Sequence, residues 1–234
     1  MAGIRGKRKD GPAPTEIGER IWLSIAEGRL RPGTRLKEEE LAEVFEVNRA
    51  RIRQALTALE GEGLVRLMPN RGAVVAAPTV DEATDVFYAR KAIERRVVER
   101  LAPLMTAPAT EELRGLIAAE RRAAMQNAVP DVIRLSGRFH VRLAELVGSE
   151  FLVKTMRDLV ARSSLITAIY RDTAHFNCGP DEHDQIVDSL SRGDAAGAIA
   201  AMSGHLDHLE SELHLVADRA GVADLRAALA GTEG

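Results

Sequence analysis

Cysteine and aromatic residues are scarce in this sequence. Its 234 residues include one cysteine, Cys178, which excludes a disulfide within the chain and fits a reducing compartment such as the cytoplasm. One Trp, two Tyr and five Phe leave the interior to aliphatic side chains. Alanine and leucine, both strong helix formers, take that place, so the composition favours helices.

Long apolar runs are absent as well. No stretch approaches the roughly 20 apolar residues that span a bilayer, so neither a membrane-spanning helix nor a membrane partner is expected. The N-terminal stretch MAGIRGKRKDGPAP is basic and has no apolar run after it, so we expect no secretory signal there. We expect residues 1–13 to form a disordered basic arm.

Charge is unevenly distributed along the chain. The formal net charge is -3, yet residues 1–78 hold 14 Lys and Arg against 11 Asp and Glu. Residues 79–234 hold 18 Lys and Arg against 24 Asp and Glu. The basic N-terminal part, or front, and the acidic C-terminal part predict two units, and a polyanionic partner would bind the first.

The basic front predicts short helices followed by a hairpin. A first helix ends at Gly28, a second begins near Glu38, and a third begins after Asn48, whose side chain can cap it. Two short apolar strands surround a turn at 69–72, which is typical of a β-hairpin. These elements together predict a winged helix-turn-helix over residues 14–78.

The rest of the chain predicts amphipathic helices that are broken at Pro and Gly. The predicted spans are 81–105, 109–126, 129–147, 149–171, 181–192, 194–219 and 222–230. Helices joined by short loops pack antiparallel, so residues 79–234 predict an all-α bundle. The predicted fold class is therefore mainly α, with a winged helix-turn-helix in front of the bundle.

The third helix has a buried stripe opposite a solvent-facing side. At 100° per residue, Ile52, Leu56 and Leu59 cluster on one side, and the opposite side centres on Ala50 and Gln54. Small Ala50 lets the backbone of this side approach a groove closely.

Three arginines fringe the solvent-facing side of this helix. Arg51 and Arg53 flank it, and Arg49 lies in the first turn, where free backbone amides already favour anions. Guanidinium forks suit phosphates and the edge of guanine. A merely solvated charged face is the alternative, but the turn before the helix and the Arg-bearing hairpin tip after it favour DNA.

Residues 27–75 carry a specific resemblance. The stretch EGRLRPGTRLKEEELAEVFEVNRARIRQALTALEGEGLVRLMPNRGAVV resembles the DNA-binding domain of GntR-type bacterial transcription regulators. In that family the recognition helix enters the major groove and the wing tip touches the minor groove. Carried over by position, the resemblance implies DNA contacts at Asn48, Arg49, Ala50, Arg51, Arg53, Arg71 and Gly72.

Three positions depart from the family pattern. Glu46 replaces a turn glycine, so either this residue adopts a left-handed conformation or the turn differs. Asn48 replaces Ser or Thr, but it can still cap the helix and bond a phosphate. Glu39 stands where many members carry an arginine that contacts DNA, which leaves the type of operator open.

The helical half resembles a known domain too. The stretches VFYARKAIERRVVERLAP, GRFHVRLAELVGSEFL and DEHDQIVDSLSRGDAAGAIAAMSGHL resemble the FCD ligand-binding domain of the FadR subfamily of GntR regulators. Metal-binding members of that family hold a divalent ion with three histidines and one Asp. The resemblance therefore implies a divalent metal, Zn²⁺ or Ni²⁺, with His140, His183 and His205 as its ligands.

Ser136 stands where that Asp normally lies, one turn before His140. A hydroxyl is a poorer ligand than a carboxylate, but three histidines alone can bind Zn²⁺ and leave the fourth position to water or to an effector oxygen. Two alternatives stay open: the histidines bind an acidic ligand directly without a metal, or they only pack in the core.

An effector site is also implied by the resemblance. Arg90 matches a family arginine that points into the pocket and offers a planar fork to a carboxylate. The alternative is an exposed arginine that pairs with Glu94 four residues later. The candidate effector-binding residues are Arg90, Ser136, Arg162, Ser164 and Thr167.

These expectations describe a ligand-controlled transcription regulator. It would act as a homodimer on a palindromic operator in double-stranded DNA and sense a small organic or sugar acid. A constitutive DNA-binding protein whose helical half only dimerises is one alternative. A metal-dependent hydrolase is another, but the sequence has no HExxH, no Gly-rich phosphate loop and no general base placed by a motif.

Overall fold

The computed structural model describes residues 11–26, 29–69, 71–170, 179–213 and 225–230. Its elements are, in chain order, α1 (Pro14–Ala26), β1 (Arg35–Leu36), α2 (Glu38–Val44), α3 (Arg49–Gly61), β2 (Val65–Met68), β3 (Gly72–Val75), α4 (Val80–Leu101), α5 (Ala107–Met125), α6 (Val129–Val147), α7 (Glu150–Tyr170), α8 (Gly179–Ser191), α9 (Ala195–Ser211) and α10 (Leu225–Ala230). The mainly helical class is confirmed, as is the winged helix-turn-helix in front of a helical domain. None of the described helices is long and apolar enough to cross a membrane.

Helices α1–α3 and the three strands form the N-terminal unit. Ile17, Ile21 and Ile25 recur at helical spacing on α1, and all three are buried where α1 packs on α3. Ile52 and Leu56 of α3 are fully buried in the same core. The apolar periodicity of the sequence therefore produces this contact.

The strands form an antiparallel sheet in the order β1-β3-β2. The predicted hairpin is β2 and β3, whereas β1 was not predicted because two residues carry no periodicity. The backbone of Gly72 explains how β1 approaches β3. Its φ is +80°, and a Cβ there would lie 2.1 Å from the carbonyl oxygen of Leu36, so only glycine lets these strands pair.

The turn between α2 and α3 contains Glu46 with φ of 53°. The first of the two predicted outcomes is therefore observed: a glutamate occupies the left-handed region that glycine occupies elsewhere in the family. This conformation costs more free energy for a glutamate than for a glycine, and it persists because the helices on both sides fix the turn.

Helices α4–α9 form the helical bundle. Thr79 caps α4 by accepting a 3.1 Å hydrogen bond from the backbone N–H of Glu82. Helix α4 packs against α6, α7 and α9, and the bundle core includes fully buried Val98, Phe139 and Ile186.

Helix α7 belongs to both cores. Met156 and Val160 in its first half lie in the bundle core, whereas Leu165 and Ile169 in its second half lie in the core of the N-terminal unit. One continuous helix therefore connects the interiors of the two units.

Helix α10 returns to the N-terminal unit, although its sequence position assigns it to the helical half. Leu225, Ala228 and Leu229 are buried in the core of the N-terminal unit. The Ser24 hydroxyl donates a 3.2 Å hydrogen bond to the carbonyl of Ala228, and Arg20 donates a 3.3 Å bond to that of Leu229. These donors satisfy carbonyls at the end of α10 that have no partner within the helix.

Several predicted boundaries differ from the observed ones. The span predicted as 81–105 ends as α4 at Leu101, and a single 3₁₀ turn follows at Ala102–Leu104, where Pro103 cannot continue the helix ladder. The predicted helix at 194–219 is observed as α9 up to Ser211. Residues 1–10 of the predicted arm, residues 214–219 and Cys178 lie outside the described residues.

Candidate functional site

Asn48 begins α3 as the sequence predicts. Its side-chain oxygen accepts a 2.9 Å hydrogen bond from the backbone N–H of Arg51. Ala50, Arg53 and Gln54 are exposed, and Ile52 on the opposite side is fully buried. The basic face of α3 is therefore turned to solvent and anchored at its first turn.

Two arginines of this face form ion pairs with the start of α2. Arg53 donates two hydrogen bonds to the carboxylate of Glu38, Nε to Oε1 at 3.0 Å and Nη2 to Oε2 at 2.8 Å. Arg49 donates a 2.8 Å bond to Glu39. The bonds from Arg53 hold the pKa of Glu38 below its usual value. These carboxylates orient the arginines, but the side chains stay exposed, Arg49 to 54% and Arg53 to 64%.

Arg51 points toward the start of the described chain. Its Nη1 donates a 2.7 Å hydrogen bond to the carbonyl oxygen of Gly11. The side chain is half-buried, so Arg51 is held beside the first turn of α3 and is less free than its neighbours Arg49 and Arg53.

A groove of about 280 Å³ separates the start of α3 from the hairpin. Arg71 and Gly72, predicted as wing contacts, lie on its hairpin side, and Arg49 lies on its helix side. Arg35 and Lys37 also line the groove, and sequence reasoning did not select them because β1 was not predicted. The groove therefore carries four cationic side chains together with Glu38 and Glu39.

Three histidines from three helices meet inside the bundle. His140 lies on α6, His183 on α8 and His205 on α9, and all are buried. Nε2 of His205 lies 3.2 Å from Nε2 of His183 and 3.2 Å from Nε2 of His140. Two nitrogens bound to one tetrahedral Zn²⁺ lie about 3.3 Å apart, so this spacing fits a shared ion.

A carboxylate stands behind each imidazole. Nδ1 of His140 lies 2.5 Å from Glu94. Nδ1 of His183 lies 2.8 Å from Glu120. Nδ1 of His205 lies 2.7 Å from Glu182. A carboxylate that accepts from Nδ1–H fixes the tautomer and leaves a lone pair on Nε2, which is the arrangement found around histidine metal ligands.

Burial sets the protonation of this cluster. Burial lowers the pKa of His140 to about 3 and that of His183 well below its usual value, so both imidazoles are neutral at neutral pH. Burial alone raises the pKa of Glu94, but Arg90 and His140 outweigh it and bring the value to about 2. Burial raises the pKa of Glu120 to about 7. Neutral imidazoles with facing lone pairs repel one another, and a cation between them removes that repulsion.

A small cavity of about 40 Å³ adjoins the histidines. Four of the five candidate effector residues line it: Arg90, Ser136, Ser164 and Thr167. Arg162 does not, because it points from another side of α7 toward the N-terminal unit, where its Cγ lies 3.5 Å from the position that a Cβ on Gly63 would take. The structure therefore separates Arg162 from the other four.

Arg90 is buried beside this cavity, and its pairing with Glu94 is also present. Nε donates a 2.6 Å bond to Glu94, and Nη1 donates a 2.9 Å bond to Ser163. Nη2 is buried without a hydrogen-bond partner. A buried guanidinium nitrogen without an acceptor is costly, which makes this corner favourable for an anionic oxygen.

Sequence reasoning missed the carboxylates behind His183 and His205. Glu120 and Glu182 look like solvated residues of amphipathic helices, because helical spacing does not reveal which charged side chain has a buried partner. The available signal was chemical: each buried metal-binding imidazole needs an acceptor for its second nitrogen.

Two family profiles match this chain. The profile for bacterial regulatory proteins of the gntR family matches residues 14–75, and the FCD domain profile matches residues 85–208. The HTH-type transcriptional repressor RspR of Escherichia coli K12 is 25% identical over 210 residues, which cover 88% of this chain and 90% of RspR. The HTH-type transcriptional regulator LutR of Bacillus subtilis strain 168 is 28% identical over 214 residues, covering 81% of this chain and 95% of LutR.

A crystal structure of a GntR transcriptional regulator from Rhodococcus sp. RHA1 superposes with a TM-score of 0.70 and 26% identity. The superposition covers 88% of this chain and 99% of that one. The matched families and relatives are transcription regulators and not enzymes, which contradicts the hydrolase alternative.

Proposed function

Since this chain belongs to the GntR family of bacterial transcription regulators and carries an FCD domain, we propose that its helical bundle senses a small organic or sugar acid beside a divalent metal and thereby controls DNA binding. The protein would act in the cytoplasm, where a bacterial operator lies. One observation carries the proposal: three Nε2 atoms converge beside a buried arginine that has a free nitrogen.

The proposed DNA interface is the exposed side of α3 together with the hairpin tip. Its residues are Asn48, Arg49, Ala50, Arg51, Arg53, Arg71 and Gly72, joined by Arg35 and Lys37 of the groove. The ion pairs to Glu38 and Glu39 do not prevent this role. The guanidinium groups stay exposed in these pairs, so a phosphate or a guanine edge can compete with the carboxylates for them.

His140, His183 and His205 would hold the divalent metal. The carboxylates behind Nδ1 and the spacing of the Nε2 atoms both fit an ion such as Zn²⁺. When bound, the ion would supply positive charge and an open coordination position for an oxygen ligand. Ser136 supports that open position, because it provides no carboxylate where other family members have Asp.

The proposed effector binds in the cavity next to this metal site. Nη2 of Arg90 supplies an unused donor, and Ser136, Ser164 and Thr167 supply hydroxyls along the cavity wall. A volume of about 40 Å³ is far below the roughly 300–1,000 Å³ of ordinary ligand sites. The effector is therefore a small acid, or its binding moves the helices apart.

Helix α7 supplies a route from this cavity to the DNA-binding unit. Ser164 and Thr167 face the cavity, while Leu165 and Ile169 of the same helix lie in the core of the N-terminal unit. A ligand that shifts α7 changes the support of that core, and close packing transmits such a shift.

The proposed DNA-bound species is a homodimer. Two copies related by a twofold axis would present two recognition helices to half-sites about 34–36 Å apart, which corresponds to a palindromic operator. Sedimentation velocity of the protein with and without a selected duplex measures this stoichiometry directly.

A two-stage experiment tests the proposed function. Duplexes that bind the protein are first selected from a random-sequence library. The affinity for a selected duplex is then measured by fluorescence anisotropy with metal-stripped protein, with Zn²⁺, and with Zn²⁺ plus acetate, lactate or gluconate. His183→Ala is the matched control, since it removes one imidazole far from α3.

We expect a palindromic selected site and at least one metal or acid condition that changes the wild-type dissociation constant by about fivefold or more. The control variant should bind the duplex as metal-stripped wild type does and should not respond. The same affinity under every condition would contradict the sensor and favour a constitutive DNA-binding protein.

A further inference from the structure

A second cleft, separate from the histidine cavity, lies between the N-terminal unit and the helical bundle. Its volume is about 320 Å³, within the usual range of small-molecule sites and much larger than the histidine cavity. Gly63 and Arg66 line it from the N-terminal unit, and Glu82, Arg162, Leu165 and Ile166 line it from the bundle.

The two guanidinium groups of this cleft are not fully used within the protein. Arg66 is exposed on β2, and no described residue forms an ion pair or hydrogen bond with its side chain. Within the part of the chain that the structure describes, Arg162 pairs with Asp158 at 3.2 Å and with Glu82 at 3.5 Å, and both carboxylates are about half exposed. The cleft is lined by two arginines and one carboxylate, that of Glu82, so its lining carries one excess positive charge.

The floor of the cleft is apolar. Leu165 and Ile166 are buried side chains of α7, and each belongs to a hydrophobic core. Cationic side chains next to such a floor fit a molecule that carries one negative charge and a hydrocarbon part.

Arg162 also lies close to Gly63, which follows the recognition helix. Gly63, with φ of +73°, follows the last turn of α3, and the guanidinium carbon of Arg162 lies 3.7 Å from where a Cβ on Gly63 would be. The positive φ is what requires glycine at this position, since a Cβ there would make only an ordinary van der Waals contact with Arg162. A ligand that binds Arg162 therefore lies next to the residue that connects α3 to β2.

We propose that this cleft is a second effector site, which binds a monocarboxylate with a hydrocarbon part between Arg66 and Arg162. The carboxylate replaces the weak contact between Arg162 and Glu82 and bridges the two units. The hydrocarbon part lies on Leu165 and Ile166. This site uses no residue of the histidine cavity and does not depend on a metal.

Benzoate is a suitable probe, with benzyl alcohol as its uncharged counterpart. Binding of each to the full chain is measured by isothermal titration calorimetry. The variants are Arg66→Ala and Arg162→Ala, with Arg96→Ala as the control for an exposed arginine outside the cleft and His183→Ala as the control for the histidine cavity. Thermal unfolding without ligand checks that each variant is folded, and Arg66 is exposed enough for its replacement to be harmless.

We expect saturable binding of one benzoate per chain and none of benzyl alcohol. Loss of a charge-assisted hydrogen bond in Arg66→Ala or Arg162→Ala should weaken benzoate binding by about tenfold or more, and the two controls should bind as wild type does. Three results would overturn the site: no saturable binding to wild type, unchanged binding in both cleft variants, or loss of binding in His183→Ala. The last result assigns benzoate to the histidine cavity and leaves the sensor proposal intact.

Discussion

Arg53 on the recognition helix and Glu38 on the preceding helix share two hydrogen bonds, at 3.0 and 2.8 Å, across the helix-turn-helix. In the proposed DNA interface, the arginine would thereby be oriented before DNA arrives, and the carboxylate would oppose the approach of phosphates. The orientation of Arg53 favours DNA binding and the charge of Glu38 opposes it, so substitutions at these two residues should change the affinity for DNA in different ways.

Glu38→Gln should strengthen binding to DNA of any sequence and reduce discrimination between sequences. The change removes a negative charge beside the phosphates and loosens Arg53. We expect the affinity for a random duplex to rise by roughly threefold to tenfold at low salt and the gain to shrink as salt screens the charges. Anisotropy titrations over a range of salt concentrations measure both effects. An unchanged affinity for random DNA at low salt would contradict the placement of Glu38 at the interface.

Arg53→Ala should weaken binding to the selected operator by about 1–3 kcal/mol, because a guanidinium at the centre of the interface is lost. Arg96→Ala is the matched control, since Arg96 is an exposed arginine of the bundle that pairs with Glu99. Equal operator affinities for the two variants would remove α3 from the interface.

Leu229→Ala should destabilise the N-terminal unit, although Leu229 lies near the other end of the chain. Its side chain is fully buried in the core of that unit, and such a truncation costs about 2–5 kcal/mol. Trp22, the one tryptophan of the chain, packs against this core, so its fluorescence during urea unfolding reports the loss. Leu104→Ala is the control, because Leu104 is 53% exposed and its truncation should cost little. Equal midpoints for the two variants would mean that α10 does not support the unit in solution.

Ser136→Asp should strengthen metal binding and weaken binding of the effector. The new carboxylate would stand one turn before His140 and could occupy the coordination position proposed for the effector. We expect Zn²⁺ affinity to rise by about tenfold or more, since a carboxylate is a far better ligand than a hydroxyl. Ser136→Asn controls for shape without charge. If both variants bind Zn²⁺ as wild type does, Ser136 does not face the metal position.

The sequence alone predicts those elements whose signal comes from residues close together along the chain. Asn48 was predicted as a helix cap because the preference of its side chain for free amides does not depend on the rest of the fold. For Glu46 the resemblance left two outcomes open, and the structure shows the left-handed one. The apolar periodicity of α1 and α3 identified the residues that are buried.

Features set by contacts between distant segments could not be read in the same way. Strand β1 exists only through its pairing with β3, and α10 packs on a unit that begins about two hundred residues earlier in the chain. Arg162 was assigned to the effector cavity with Ser164, yet two residues along a helix differ by about 200° in direction, and the structure turns Arg162 toward the N-terminal unit. Glu120 was missed because a buried carboxylate cannot be recognised without its imidazole partner.

Metal binding by the metal-stripped protein decides whether the bundle holds a metal sensor, since the proposed sensor depends on the convergence of His140, His183 and His205. Titration with Co²⁺ followed by visible absorption reports both stoichiometry and coordination, and competition with Zn²⁺ gives the affinity. We expect one ion per chain with the absorption of a tetrahedral nitrogen and oxygen site in wild type and in Arg96→Ala, and loss of that signal in His183→Ala. Absence of a saturable signal in wild type, or an equal signal in His183→Ala, would contradict the account.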